Sequence, residues 1–276
     1  MPSQPLLQIR DLSIIDKNNQ QPLLNKLCLT IHQHRTLAIV GESGSGKSLL
    51  SKAIIGLLPP TLTANGQILF QQQSLLDYSN AQRQQLRGKQ INLIVQNAMG
   101  AFDPMMTIGA QFMETLACHF NLSYEEQQQR IVSALQKTKL DQVHNLLGSH
   151  PHQLSGGQLQ RVMIAFALAL EPTIIIADEP TTSLDAITQY EIIQQLTQLI
   201  KQQNMTLIFI THDLSLVREI ADDIAVMKEG DLIEYASKEQ LFNAPQHPYT
   251  RFLLETRRKL TQRFEKIMSK PYVING

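Results

Sequence analysis

A glycine-rich loop between a short apolar strand and a helix is the feature that most constrains the fold. Residues 36–40 predict a buried strand, and residues 48–58 predict a helix that Pro59 and Pro60 end. The connecting residues fit the pattern G-x-x-x-x-G-K-[ST], in which backbone N–H groups and a helix N-terminus surround phosphate groups. Its members are Gly41, Glu42, Ser43, Gly44, Ser45, Gly46, Lys47 and Ser48. Lys47 is expected to reach β- and γ-phosphates, and the Ser48 hydroxyl to bind Mg²⁺. The alternative is a chance match in an unrelated loop.

Two adjacent carboxylates follow a second apolar strand, predicted over residues 173–177. In a phosphate site of this kind the first carboxylate, Asp178, holds the Mg²⁺ ion. Glu179 is then placed to act as the general base on an attacking water. On its own the pair is weak evidence, because many strands end in exposed acidic residues.

Two further polar residues end predicted strands. Gln96 follows residues 91–95, and His212 follows residues 207–211. Open α/β sheets bind ligands at the carboxyl ends of their strands, so both side chains are candidates for the same site. A histidine in such a place can also be purely structural.

A second candidate anion site precedes the long apolar run 159–170. Ser155 is a natural helix N-cap, and Gly156 and Gly157 allow a phosphate to approach the backbone. Gln158 completes the segment. A chain needs only one phosphate cradle for its own nucleotide, so this segment is predicted to serve the ATP of another subunit.

The remaining pattern predicts an α/β fold with a P-loop ATPase core and a mainly parallel sheet. Alternating apolar and polar residues near the N-terminus, such as 27–31, predict an antiparallel β subdomain. Residues from about 97 to 160 predict an inserted α-helical subdomain. The strand–helix–strand order of residues 173–211 implies parallel pairing. We expect one ATP-binding domain over residues 1–255 and a basic tail over 256–276, whose face is either solvated or in contact with a membrane surface or permease.

Composition removes several classes of function. Lys plus Arg and Asp plus Glu both number 24, so there is no electrostatic case for binding nucleic acid. Residues 1–10 lack a basic start followed by an apolar run, so no secretion signal is expected there, and the apolar run 162–170 is too short to cross a bilayer. Cys28 and Cys118 are expected to be buried thiols, and His150 with His152 lacks a nearby third metal ligand.

These elements, in this order, resemble the ATP-binding subunits of ABC transporters. The resemblance rests on the loop 41–48, Gln96, the LSGGQ motif at 154–158, the strand 174–179, and Ser183-Leu184-Asp185 with His212. It implies a head-to-tail dimer that binds ATP and Mg²⁺ between its subunits, with Ser155, Gly156, Gly157 and Gln158 facing the partner's nucleotide. It also implies that Gln96 senses Mg²⁺ and the attacking water, that His212 contacts the γ-phosphate, and that Asp185 lies in a loop crossing the dimer.

The implied partners are two membrane permease subunits, a second ATP-binding subunit of paralogous sequence, and, indirectly, an extracytoplasmic solute-binding protein. The chain would be peripheral at the cytoplasmic face of the inner membrane. The helical subdomain would contact the permease.

A narrower resemblance is to the peptide and nickel importer branch, carried by residues 241–245 and His247-Pro248-Tyr249-Thr250. The chain lacks that branch's cysteine cluster and has Ala101-Phe102-Asp103-Pro104 where peptide importers tend to have Leu-Asn-Pro. Both departures favour the nickel or metallophore importers over the di- and oligopeptide importers. The aromatic residue that the family stacks on adenine is missing near Ile15 and Asp16, which leaves aliphatic packing for the base.

Two other classes of function remain as alternatives. A soluble ABC protein of DNA repair or translation usually has two cassettes, a long coiled-coil insert or a basic surface, and none of these is found here. A nucleotide-binding regulator without hydrolysis does not need Glu179 and His212, which this chain retains.

Overall fold

The computed structural model describes residues 5–256, with the exception of residues 141 and 183. Within that part of the chain, ten strands form a four-stranded and a six-stranded sheet. The strands are β1 (Pro5–Asp16), β2 (Pro22–His32), β3 (Thr36–Val40), β4 (Leu62–Phe70), β5 (Gln73–Ser74), β6 (Ile91–Ile94), β7 (Ile174–Asp178), β8 (Thr206–Thr211), β9 (Asp223–Lys228) and β10 (Asp231–Ser237).

The larger sheet has the order β10-β9-β3-β8-β7-β6. All its pairs are parallel except β9 with β10. Every residue of β3 and β8 is buried, because helices cover both faces of a parallel sheet and its central strands are therefore continuously apolar. The smaller sheet, β2-β1-β4-β5, is antiparallel throughout, and buried residues alternate with less buried ones along the second half of β2. The predicted α/β class with two kinds of sheet is confirmed.

The described residues contain several α-helices, among them those predicted from the sequence, with shifted ends. They are α1 (Lys47–Ile54), α2 (Asn80–Leu86), α3 (Ile108–His119), α4 (Tyr124–Lys137), α5 (Val143–Gly148), α6 (Gly156–Ala169), α7 (Ala186–Gln202), α8 (Leu214–Ile220) and α9 (Lys238–Asn243), with short 3₁₀ turns at Met99–Ala101 and Pro151–Gln153. Residues 248–256 are also helical.

The inserted helical subdomain lies between β6 and β7. Thr107 caps α3, and Ser123 with Glu126 forms a reciprocal capping box at α4, so backbone N–H groups at both helix starts have partners. The buried faces of α3 and α4 pack in one apolar cluster with α6, including Phe112, Ile131 and Val162. The helical insertion predicted from the sequence is thereby confirmed.

Several local predictions were wrong. The first helix ends at Ile54 instead of residue 58, because Gly56 adopts a left-handed φ of 68° and turns the chain before the two prolines. Cys28 and Cys118 are exposed, not buried. Leu27 and Leu29 occupy the buried face of β2, so the alternation of the strand turns Cys28 outward.

No helix within the described residues is both long and apolar enough to cross a membrane. The predicted basic tail over 256–276 lies outside the described residues except for residue 256, and so does Ser183.

Candidate active site

The phosphate loop, residues 41–48, joins the end of β3 to the start of α1. Its glycines are required by geometry: Gly46 has a φ of 100°, and a Cβ there would overlap the Leu24 side chain. A Cβ on Gly41 would overlap the backbone carbonyl oxygen of Met227. The loop is therefore pressed closely against β2 and β9, and only glycine fits at these two positions.

Lys47 is buried inside the phosphate loop. Its Nζ donates to the carbonyl oxygens of Gly41, at 2.9 Å, and of Glu42, at 2.8 Å. Burial lowers the pKa of Lys47, while the nearby carboxylates of Glu179 and Asp178 act in the opposite direction. The ammonium group is therefore held by two carbonyls at the point where the loop opens toward the strand ends.

Ser45 adds an observation that bears on ligand binding. Its hydroxyl oxygen is buried and has no hydrogen-bond partner in the protein. Buried polar atoms normally have partners, so an unpaired hydroxyl in this loop fits a site that a polyanion completes. The residues present therefore suit a bound triphosphate.

Ser48 and Asp178 form the second part of the site. The Ser48 hydroxyl donates to Asp178 Oδ1 at 3.0 Å, and Ser51 Oγ lies 3.5 Å from Oδ2. Burial raises the pKa of Asp178, against the effect of the Ser48 hydrogen bond. A hydroxyl and a carboxylate are hard oxygen ligands, the donor set that Mg²⁺ prefers. A divalent cation would also relieve the cost of keeping this partly buried carboxylate ionised.

Polar residues that follow three neighbouring strands come together at the Glu179 carboxylate. Gln96 Nε2 lies 3.4 Å from Oε2, and His212 Nδ1 lies 3.3 Å from Oε1. The Thr182 hydroxyl donates to Oε2 at 3.1 Å. Glu179 itself has a φ of 45°, a left-handed conformation that is costly for a residue with a side chain. The structure thus brings together Gln96, Glu179 and His212, as the strand-end pattern predicted.

The segment 155–158 forms the N-terminus of α6. Ser155 Oγ accepts from Gln158 N at 3.3 Å, and the Gln158 side chain accepts from Ser155 N at 2.9 Å, so the helix start has its own capping box. Ser155, Gly156 and Gln158 are exposed. A Cβ on Gly157 would lie 3.3 Å from the Thr188 side chain, so the segment adjoins the start of α7.

Asp185 lies at that same junction. Its carboxylate accepts from the backbone N–H groups of Ile187, at 3.1 Å, and Thr188, at 3.0 Å, and so caps α7. The hydrogen bond from Thr188 is the main reason why the pKa of Asp185 is lowered. The structure therefore gives Asp185 a capping role beside the exposed segment 155–158.

Sequence reasoning missed Ser51 and Thr182. Ser51 lies one helical turn after Ser48, a spacing that could have indicated a shared face, whereas Thr182 is brought to Glu179 by a turn with no motif of its own.

His150 and His152 stack at 5.6 Å between ring centroids. Among the described residues no group of three His, Cys, Asp or Glu side chains is placed to hold a metal ion.

Comparison with known proteins agrees with this geometry. The sequence profile described as "ABC transporter" matches residues 24–182, more than half of the chain. The chain belongs to the ABC transporter family. This ABC protein is 43% identical over 263 residues to CntD, the ATP-binding protein of the metal-staphylopine import system of Staphylococcus aureus, with 95% of this chain and 97% of CntD covered.

A second relative is the oligopeptide transport ATP-binding protein OppD of Lactococcus lactis subsp. cremoris. It is 39% identical over 279 residues, which cover 100% of this chain and 81% of OppD. The predicted resemblance to the peptide and nickel importer branch is confirmed by these relatives.

Solved structures give the same family. The dimeric, post-hydrolysis ATP-binding cassette MJ0796, bound to ADP and Pi, superposes with a TM-score of 0.74 at 28% identity, covering 84% of this chain and 98% of that one. The cbiO1 protein of Clostridium perfringens, part of the cbiONQ transporter complex, has a TM-score of 0.76 at 29% identity and covers 95% and 97% of the two chains. This ABC chain is therefore an ATPase that uses ATP and Mg²⁺.

Proposed function

We propose that this ABC protein is the ATP-hydrolysing subunit of an importer that takes up nickel or a metal–metallophore complex across the cytoplasmic membrane. The observation that carries the proposal is the similarity to CntD, which extends over 95% of this chain and 97% of the relative. OppD is less similar, at 39% identity with 81% of its own length covered, against 43% and 97% for CntD.

The proposed assembly contains two membrane permease subunits and a second ATP-binding subunit, a paralogue of this chain. An extracytoplasmic solute-binding protein delivers the cargo without touching this subunit. The chain is peripheral at the cytoplasmic face of the membrane. Support comes from relatives whose names place them in import systems and from cbiO1, part of the cbiONQ transporter complex.

Each residue of the site has a proposed role in ATP hydrolysis. The phosphate loop and Lys47 hold the triphosphate through backbone N–H groups and one ammonium. Ser48, Asp178 and Gln96 hold Mg²⁺, which neutralises charge on the phosphates when bound. The Glu179 carboxylate, within 3.4 Å of the Gln96 amide and 3.3 Å of the His212 ring, orients and deprotonates the attacking water. His212 contacts the γ-phosphate.

The segment 155–158 and Asp185 are proposed to complete the site of the partner subunit. The segment is exposed and its capping bonds are internal, so its N-terminal N–H groups and helix dipole are already oriented toward solvent. Asp185 shares the junction with that segment through its bond to Thr188. Binding of ATP between two subunits would then close the dimer, and hydrolysis would reopen it.

Adenine is proposed to bind by aliphatic packing. Ile14 pairs with Leu24, and Ile15 pairs with Pro22, in the β1–β2 ladder. A Cβ on Gly46 would overlap the Leu24 side chain, so this ladder adjoins the phosphate loop. The aliphatic residues at its end are therefore close to the position of the nucleotide.

The test is uptake in a strain that lacks this chain. We expect the deletion to lose accumulation of radioactive nickel, supplied free or as a metallophore complex, and wild-type chain to restore it. Glu179→Gln should fail to restore uptake, because general-base catalysis contributes about 10²- to 10⁴-fold. Glu171→Gln is the matched control, since Glu171 also has a positive φ but pairs with Arg130 on the surface.

Import of di- or oligopeptides is the second candidate, favoured by the match of OppD to all of this chain. Normal metal uptake together with lost peptide uptake in the deletion strain would select it. A third candidate, a soluble ABC ATPase outside transport, would be selected if the chain co-purified with no membrane protein.

A further inference from the structure

The segment after α9 returns to the phosphate loop, and its sequence explains how. His247 Nδ1 accepts the backbone N–H of Tyr249 at 3.1 Å, so the imidazole caps the helical residues 248–256. Pro248 occupies the first helical position, where its fixed φ and missing N–H are favourable. The sequence His247-Pro248-Tyr249 therefore starts a helix at a fixed place.

Glu234 of β10 anchors this helix start. Its carboxylate accepts from the backbone N–H groups of Gln246, at 2.7 Å, and His247, at 3.0 Å. Burial favours the neutral acid, but these N–H groups, with Thr250, outweigh it and lower the pKa of Glu234. Thr250 is 1% exposed. The segment is thus fixed to the large sheet by a charged, partly buried anchor.

Tyr249 points from this anchor toward the phosphate loop. Its ring packs against the apolar cluster that contains Val40, the last residue of β3 before the loop, and Val226. The ammonium of Lys228 lies 5.2 Å from the centre of the ring, within the range of a cation–π contact.

The hydroxyl of Tyr249 is buried and lacks a hydrogen bond of good geometry. The cluster against which the ring packs contains Val40, only two residues before Glu42 in the chain. Burial raises the pKa of Tyr249, and the Glu42 carboxylate raises it further. A buried unpaired hydroxyl is unfavourable, and a small movement of Glu42 would give it a charged acceptor.

Glu42 connects this contact to Lys47. The Glu42 carbonyl oxygen accepts from Lys47 Nζ at 2.8 Å and from Ser45 N at 3.2 Å. The turn between β9 and β10 holds the same side of the loop, since Gly230 N donates to the Ser45 carbonyl at 3.2 Å. A displacement of Glu42 therefore moves the group that positions the lysine.

We infer that residues 247–250 brace the phosphate loop, and that Tyr249 is a positioning residue whose hydroxyl donates to Glu42 when the loop is filled. The inference rests on the proposed function, because it takes the loop and Lys47 to hold the triphosphate. The brace links the C-terminal segment of the chain to nucleotide binding. The motif at residues 247–250 has no proposed role in hydrolysis itself, and the brace gives it one.

The experiment compares Tyr249→Phe with Tyr235→Phe in the assembled transporter. Tyr235 is the matched control, because its hydroxyl donates to the Thr30 carbonyl, outside the phosphate loop. For Tyr249→Phe we expect KM for ATP to rise about tenfold with kcat changed less than about twofold, because a hydrogen bond to a charged group is lost only in the filled loop. The Tm without nucleotide should not fall, and the Tm increase on adding ATP should shrink. A purely structural tyrosine would instead lower the Tm without nucleotide.

A double-mutant cycle with Glu42→Ala identifies the partner. If Tyr249 acts through Glu42, the change Tyr249→Phe has no further effect on KM in the Glu42→Ala background. An unchanged KM for Tyr249→Phe, or an equal rise in both backgrounds, overturns the brace. Should Tyr249→Phe fail to fold, Glu42→Ala alone must reproduce the rise in KM. Lys47→Ala distinguishes failure of the proposed ATP site from failure of the brace. Retained hydrolysis in Lys47→Ala refutes the proposed site itself. Loss of hydrolysis in Lys47→Ala, together with normal kinetics of Tyr249→Phe, refutes only the brace.

Discussion

Gly66 provides a quantitative test of how the antiparallel sheet is built. The β1–β4 register shifts between Arg10 and Ser13, so Asp11 and Leu12 bulge opposite Gly66. Gly66 has a φ of 104°, and a Cβ there would overlap the Asp11 carbonyl oxygen, lie 2.7 Å from the Asp11 carbonyl carbon and 2.8 Å from the Arg10 oxygen. All three obstacles are backbone atoms, so no side-chain rotation can relieve them.

The change Gly66→Ala therefore has two costs. The left-handed conformation costs about 1–2 kcal/mol for a residue with a Cβ, and forcing an extra methyl into a packed site costs about 1–3 kcal/mol. Together they predict a loss of about 3 kcal/mol. For a chain of this size, about 2–4 °C of Tm corresponds to 1 kcal/mol, so Tm should fall by about 6–12 °C.

Differential scanning calorimetry of the purified chain measures this loss. Gly148→Ala is the control, since Gly148 lies at the end of α5 with no atom within 4 Å of the added Cβ. That change should raise the free energy of unfolding by about 0.4–1 kcal/mol, because alanine restricts the unfolded chain. A Tm for Gly66→Ala within about 2 °C of the wild type would refute the backbone argument.

Two further changes test the proposed roles at the site. Ser155→Arg should abolish hydrolysis in the assembled transporter, while the isolated chain still binds ATP in a fluorescence titration. Ser237→Arg removes another serine N-cap and should leave hydrolysis intact. Normal turnover in Ser155→Arg would contradict the shared site. Asp178→Asn should raise the Mg²⁺ concentration for half-maximal hydrolysis at least about tenfold, because the partly buried carboxylate beside Ser48 loses its charge. Asp231→Asn, at an exposed position, is the reference variant and should not change the Mg²⁺ dependence. An equally unchanged Mg²⁺ dependence in Asp178→Asn would show that Asp178 does not bind the cation.

The parts of the site that sequence predicted are those set by short-range pattern. A phosphate loop needs glycine at Gly46 because of local conformation and a close neighbour, and such a requirement is visible as a motif. Parallel strands end at one edge, so Gln96, Glu179 and His212 could be placed together without knowing any contact. The alternation of β2 also predicts that Cys28 points outward, whereas the compositional expectation of a buried thiol is wrong.

The parts that sequence did not predict depend on packing between distant segments. Thr182 reaches Glu179 only through the turn after β7, and that turn carries no signal for the contact. Tyr249 and Glu42 are much farther apart in the sequence. The return of the chain after α9 brings Tyr249 to the apolar cluster that contains Val40, two residues before Glu42. The motif at 247–250 marks a branch of the family, whereas the bracing role that we infer for it depends on the helix cap, the Glu234 anchor and the loop together.

The two anion-binding segments differ in a way that bears on the proposed dimer. The phosphate loop is backed by its own chain: Lys47 is buried, and Met227 and Leu24 leave no space beside Gly46 and Gly41, although Gly44 is open. The segment at Ser155 is exposed, although its helix start is already capped by its own side chains. The phosphate loop, with its own lysine beside it, can hold a nucleotide without a partner subunit. An exposed, preorganised helix N-terminus gains an anion only when another surface brings one to it. On the proposed function, that difference makes closure of the dimer dependent on bound ATP, so each subunit reports the occupancy of its partner's phosphate loop.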